Sequence, residues 1–222
     1  MNDVVRSNAT LGRGVEVNKV LRNTFTLLAM TLLFSAVTAG VSMALNVPFA
    51  VSLGCSIAAI VMLWFVVPRT ANSSMGLVAV FATTGLLGFG LGPILNHYLA
   101  LPNGGQLVMT AMGGTAIIFL GLAGYALTTR KDFRFMGAFL FVGILVAFLA
   151  GIAAMIFSMP GLSLAVSAMF VLLMSGLILY QVSDIVHGGE TNYILATVSL
   201  YVAIYNLFTS LLHLLGAFGG DD

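Results

Sequence analysis

Charge is what this chain has least of. Asp, Glu, Lys and Arg make up 7% of its 222 residues, against about 25% in an ordinary folded protein. None lies between Thr70 and Thr129, and none in the run from Phe135 to Ser183. Uncharged stretches of that length cannot cover a surface that faces water, which excludes a soluble domain. Cysteine is nearly absent as well. Cys55 stands alone, so a disulfide framework and a cysteine-based metal site are excluded. The three histidines, His97, His187 and His213, fall at different segment ends without ligand spacing, and no metal or other cofactor is expected. A formal net charge of +1 leaves no broad basic field, so nucleic acid is not an expected partner.

What the chain does have is hydrocarbon. Hydrophobic residues account for 60% of it, and a spanning helix needs about 20 mainly apolar residues to cross ~30 Å of lipid. Pro48, Pro68, Pro102 and Pro160 fall in short breaks, as do Asn72-Ser73-Ser74, Asn103-Gly104-Gly105 and His187-Gly188-Gly189. Such clusters end helices, because proline lacks a donor and glycine accepts left-handed geometry. Seven segments remain, at roughly 24–45, 49–67, 75–98, 106–128, 133–158, 162–186 and 192–217. Runs such as Ala138–Ile156 lack the alternation of barrel strands. The fold class is all-α, a polytopic membrane protein with seven transmembrane helices and the lipid bilayer as its first partner.

Orientation follows from the cations, which are retained on the cytoplasmic side. Arg6, Arg13, Lys19 and Arg22 precede the first segment. Arg69 lies between the second and third, and Arg130, Lys131 and Arg134 lie between the fourth and fifth. All eight cations of the chain therefore fall at one side. The expected organisation is a flexible cytoplasmic tail over 1–22, a seven-helix bundle over 23–218 and a short periplasmic tail over 219–222. A tail of that size is too short for a core of its own. It serves as a topology signal, or as a handle gripped by another protein.

Function inside a membrane has to sit on polar residues. On the seventh segment Asn192, Ser199, Asn206, Ser210 and His213 share one face at about 100° per residue, and Ala196, Ala203 and Ala217 extend it. A polar stripe turned to lipid would leave groups unpaired, so this face turns inward and the helix is central or nearly so. The sixth segment has a matching row of Ser163, Ser167, Gln181 and Asp184. The two rows support either interhelical hydrogen bonding alone or a wet path between them. Asp184 is the sole carboxylate within a spanning segment, and an intramembrane ionisable residue is a functional candidate. At a helix C-terminus it calls for a cation, and Arg69 or the Arg130/Lys131 pair is on its side. The candidate ion- or pH-sensing gate is thus Asp184 with Gln181, Arg69 and Asn206. Small residues at close-packing spacing, Ala36/Gly40, Gly88/Gly92 and Ala147/Gly151, predict tight helix contacts. The four glycines and Pro93 in the third segment predict an irregular helix deep in the protein. Catalysis is not expected: two embedded aspartates are lacking, Ser175 has no partner histidine, and Gly88–Gly92 is no phosphate loop.

Three runs in order, Gly76-Leu-Val-Ala79, Gly88-Phe-Gly-Leu-Gly-Pro-Ile-Leu95 and Thr115-Ala-Ile-Ile-Phe119, resemble the signature of the Bax-inhibitor (TMBIM) family. Lys19-Val-Leu-Arg-Asn-Thr24, Leu127-Thr-Thr-Arg-Lys-Asp132, His187-Gly-Gly-Glu-Thr-Asn-Tyr193 and Ala196-Thr-Val-Ser-Leu-Tyr201 resemble a bacterial inner-membrane member of it. The likeness covers nearly the whole chain, least at the extreme amino terminus. It implies a multi-pass protein of the bacterial inner membrane with the last helix in the middle, and two activities. One is binding and modulation of the ATP-dependent membrane protease FtsH by competition, through a tail that would here be Met1–Asn18, with Asn2, Asp3, Arg6 and Arg13 exposed to the protease. The alternative is a pH-sensitive leak for Ca2+ or H+, worked by a carboxylate on each of the last two helices. In the family a carboxylate usually follows Leu-Tyr on the sixth helix, where this chain has Gln181. On the seventh the expected carboxylate is replaced by Ala203. Two close carboxylates share a proton because both cannot ionise together; glutamine and alanine cannot, which favours the first activity.

Overall fold

The computed structural model describes backbone from Asn2 to Gly219 and side chains from Val15 to Gly219. Helix α1 is Asn2–Ala44, of which Val15–Ala44 is the membrane-length part. Then come α2 (Phe49–Thr70), α3 (Met75–Leu99), α4 (Gly104–Thr129) and α5 (Gly137–Ile156), the last entered through a short turn at Arg134–Met136. Helices α6 (Pro160–Val186) and α7 (Tyr193–Phe218) complete the chain. There is no strand among the described residues. Among the described residues seven helices are long and apolar enough to span a bilayer, so the chain is an all-α polytopic membrane protein.

Helices α2 to α7 start and stop within a few residues of the expected ranges, but α1 begins well before residue 24. Lys19 and Arg22 end the apolar run without ending the helix, since both are good helix formers. Helical backbone reaches back to Asn2, through most of the stretch expected as a tail. The side chains of Asn2, Asp3, Arg6 and Arg13, and the whole of residues 220–222, lie outside the described residues.

Helix α7 is the axis of the bundle. From Asn192 to Gly216 no residue is exposed, and only Ala217, expected on the inward stripe, and Phe218 emerge at the end. Helices α1, α3, α4 and α6 all pack on it. The outer helices carry lipid-facing apolar side chains such as Trp64, Ile117 and Phe139.

Between apolar helices in lipid there is no hydrophobic driving force, so close packing and hydrogen bonds decide which faces meet. Helix α3 meets α1 through glycines. A side chain on Gly88 would run into Ser35 and Thr38, and one on Gly92 into Ser42. On another face Gly90 accepts a hydrogen bond from Ser52 of α2 and leaves room for Ser56. The glycines of α3 therefore admit two neighbours at once, and the helix runs unbroken through Pro93. Gly88/Gly92 behaves as a close-packing pair. Ala36/Gly40 does not: both are exposed, and nothing lies within 4 Å of the space a Gly40 side chain would take.

The irregular turn falls in α2 instead, where Met62–Val66 is wound as a π-helix just before Pro68. Proline removes a donor and crowds the preceding turn. Two side chains bond back to carbonyls of this stretch: Arg69 Nη1 donates to Phe65 O at 2.6 Å, and Thr70 Oγ1 to Val66 O at 2.8 Å.

Candidate functional site

Seven alternating spans bring the N-termini of α1, α3, α5 and α7 to the same end as the C-termini of α2, α4 and α6. This end carries Arg69, Arg130, Lys131 and Arg134, and it is the basic end. Here α6 stops at a left-handed Gly188, φ +71°. Gly188 N donates to Ile185 O at 3.0 Å and Gly189 N to Asp184 O at 2.9 Å, the Schellman pattern that satisfies terminal carbonyls. Gly189 lies so close against the Asp184 carboxylate that a side chain there would overlap it.

Asp184 is half-buried beside this turn. Among the described residues no ion pair joins it to Arg69, Arg130 or Lys131. Arg69 is turned to its own helix, bonded to Phe65 O and stacked 5.6 Å over the Phe65 ring. The pair that does form is Arg134–Asp132 at 2.7 Å. Arg134 donates through Nε and Nη2, and its backbone N–H also reaches Asp132 Oδ1 at 3.0 Å. The guanidinium holds the Asp132 carboxyl well below the usual carboxylate range. Arg134 is also the cation whose field reaches Asp184.

The α4–α5 loop is tied to the end of α6 beside this pair. Ser183 Oγ accepts from Phe133 N at 2.9 Å and donates to Lys131 O at 3.2 Å. The His187 ring lies between Ser183 O, 2.7 Å from Nδ1, and Arg130 O, 3.1 Å from Nε2. Asn192 caps α7, accepting from Ile194 N, and donates to Ala71 O at 3.0 Å, which ties in the α2–α3 turn. The basic end is a set of loops latched to one another.

In the membrane interior no side-chain hydrogen bond joins Gln181 to Asn206 among the described residues. The Gln181 side chain makes no hydrogen bond among the described residues, while Asn206 Nδ2 bonds back to Val202 O at 2.8 Å on its own helix. The α6–α7 rows meet where His213 Nδ1 lies 2.7 Å from Ser167 Oγ, an interhelical hydrogen bond.

A second polar stripe, which the sequence reading passed over, is more connected. Thr24, Leu28, Thr31, Ser35, Thr38 and Ser42 recur at alternating steps of 4 and 3 along α1. Thr24, Thr31, Ser35 and Ser42 are buried. Ser35 Oγ and Tyr201 Oη are 2.5 Å apart, and Tyr201 donates to Thr84 O at 3.2 Å. Thr197 Oγ1 of α7 reaches Thr24 O at 3.3 Å. These bonds hold α1, α3 and α7 together. Heptad-like spacing of hydroxyls was the signal available for it.

Beside Tyr201 lies a cavity of about 550 Å3, open on one side. Its floor is Tyr201, Ile204, Tyr205 and Phe208 of α7, and its walls come from α1, α3 and α4. Its lining is almost wholly apolar, and it lies on the face of α7 away from His213 and Ser167.

The architecture and these sites define a multi-pass membrane protein whose helices and loops are held together by buried and part-buried hydrogen bonds. Among the described residues no three of His, Cys, Asp and Glu stand close enough to share a metal ion. Residues 17–220 match the family described as inhibitor of apoptosis-promoting Bax1, and the chain belongs to this Bax-inhibitor family. It is 47% identical over 216 residues to the modulator of FtsH protease YccA of Escherichia coli K12, covering 97% of this chain and 98% of that one. The same identity and coverage hold for a protein of a second Escherichia coli strain, O6:H1, named inner membrane protein YccA. An uncharacterized protein of Pseudomonas aeruginosa is 49% identical over 219 residues, with 97% and 96% covered. The chain is a multi-pass protein of the bacterial inner membrane.

Proposed function

We propose that this protein binds the membrane protease FtsH and modulates it by competition, as part of membrane-protein quality control. The observation that carries this is the near full-length 47% identity to a relative named as a modulator of that protease. The mechanism is physical occupation. The amino-terminal segment, Met1–Asn18, lies on the cytoplasmic side with the basic end, and its Asn2, Asp3, Arg6 and Arg13 are what the protease engages. The bundle behind it resists extraction, because α7 is packed among α1, α3, α4 and α6 and tied to α1 and α3 by hydroxyl bonds. A substrate that is gripped but slow to unfold blocks the entry of others.

Support for the alternative, a proton-gated Ca2+ or H+ leak, is weaker. Gln181 and Ala203 stand where the resemblance calls for carboxylates, and calcium prefers several oxygen ligands, commonly carboxylates. Asp184 would have to act alone.

Co-purification from native membranes tests the proposal. The full chain is expected to bring down FtsH, and a chain lacking residues 2–18 is expected to lose it while still reaching the membrane. Equal recovery of the protease with both chains would contradict the role of the amino-terminal segment. Absence of FtsH with the full chain would contradict the proposal as a whole.

A further inference from the structure

Three helices stand around one side of α7 without closing over it. Helix α1 packs on α3, and α4 packs on α7, but α1 and α4 hardly touch. The 550 Å3 cavity is the slot between them. Its α1 wall is made low by Ala36, Ala39 and Gly40, and its α4 wall by Thr115 and Ala116. This is why Ala36 and Gly40 are exposed despite their close-packing spacing: no helix comes to meet them.

The shape identifies an occupant. Along α1 the slot runs from Leu32 to Met43 and along α4 from Val108 to Leu120, roughly 16–18 Å at 1.5 Å per residue. One leaflet's share of a ~30 Å hydrocarbon layer is about 15 Å. Water is poorly suited to the slot. Ser35 and Tyr201 are bonded to each other, and Thr115 Oγ1 donates to Ala111 O at 2.7 Å. That leaves the Tyr205 phenol alone among the lining hydroxyls, whereas a buried water uses two to four polar partners. The mouth is continuous with the surface already in contact with lipid: Val37 and Val41 on one lip, Met109, Ile117 and Leu120 on the other, all exposed.

We propose that the slot is a binding site for one acyl chain of a membrane phospholipid. The chain enters sideways between α1 and α4 from the leaflet at the Met43 and Val108 end. It lies against Phe208 and Tyr205 and stops near the Ser35–Tyr201 bond. The central helix, shielded from lipid elsewhere, touches it here.

Quenching by brominated lipid tests this. Trp64 is the single tryptophan and is 71% exposed on α2, so the unmodified protein in vesicles of acyl-brominated phosphatidylcholine sets the full-contact reference. In a Trp64→Phe, Phe208→Trp protein the only indole lies on the slot floor. Its quenching is expected to reach at least half the reference. Adding Gly40→Phe, or separately Ala116→Phe, fills the slot from a wall and is expected to cut that quenching at least twofold with helix content by circular dichroism unchanged. Quenching below a tenth of the reference would overturn the proposal, as would equal quenching with the slot filled and open. Quenching that appears only when protein is diluted in lipid would reveal a second copy in the slot and overturn the lipid assignment.

Discussion

Ser35 of α1 and Tyr201 of α7, 166 residues apart in sequence, share a 2.5 Å hydrogen bond in the interior of the bundle. The bond fixes the first helix to the last, and Tyr201 extends it to α3 through Thr84 O. A polar contact of this kind in a membrane protein is worth about 0.6 kcal/mol on average and up to ~1.7. Tyr201→Phe should therefore lower stability by about 1 kcal/mol, and a double-mutant cycle with Ser35→Ala should give a coupling of similar size. Ser42, on the same face, is buried with its hydroxyl unpaired. Its replacement by Ala should be neutral or stabilising. Reversible unfolding in bicelles measures all three, and a Ser42→Ala protein less stable than Ser35→Ala would contradict this ordering.

Two glycines that look alike in sequence should respond oppositely to alanine. Gly88→Ala drives a methyl into the backbone and side chain of Ser35 and should cost about 1–3 kcal/mol through overpacking. Gly40→Ala meets open space and should gain about 0.5–1 kcal/mol from reduced backbone freedom. The same unfolding measurement checks this pair, and equal effects would mean that α1 packs on α3 by a different face.

The turn after α6 makes a local prediction. Gly188→Ala places a side chain at φ +71° and should cost about 1 kcal/mol. Gly189→Ala overlaps the Asp184 carboxylate; Asp184→Ala should relieve much of that cost when combined with it. Hydrogen exchange at 186–193 reads the change, and additive effects of the two substitutions would contradict the contact.

Asp132 provides a pH test with a definite sign. Arg134 holds its folded-state carboxyl below the unfolded value, which is about 3.9. The stabilisation is therefore present above that pH and is lost as pH falls through the folded value. Asp132→Asn should differ from the parent most near neutral pH and converge with it in strong acid. The difference should be small, because the pair is exposed to solvent. Thermal midpoints across this range measure it, and a gap that widens in acid would contradict the assignment.

The leak alternative is met by flux in liposomes. With Gln181 and Ala203 in place of a carboxylate pair, reconstituted protein should pass no Ca2+ or H+ in a pH-gated manner. A flux abolished by Asp184→Asn would reinstate that reading.

The count of spans was legible because each is a long uncharged run closed by Pro, Gly or Asn, and the central place of α7 because Asn206 and His213 could not be left in lipid. The start of α1 was not, since Lys19 and Arg22 interrupt hydropathy without interrupting a helix. Nor could the partner of Asp184 be read: Arg69 lies at the right end but bonds to Phe65 O on its own helix, and Arg134 is committed to Asp132. The Ser35–Tyr201 bond and the slot depend on which helix faces which. Apolar side chains that face protein and those that face lipid read alike, so Ala36 and Gly40 gave the same signal as Gly88 and Gly92.

Competition for FtsH through the amino-terminal segment is what we propose for this protein. Its most direct test is degradation of a fluorescent membrane substrate by purified FtsH in proteoliposomes, with the full chain or the chain lacking residues 2–18 added in excess. Slowed degradation is expected with the full chain and the unmodified rate with the truncated one. An unchanged rate with both, or equal slowing by both, would contradict it.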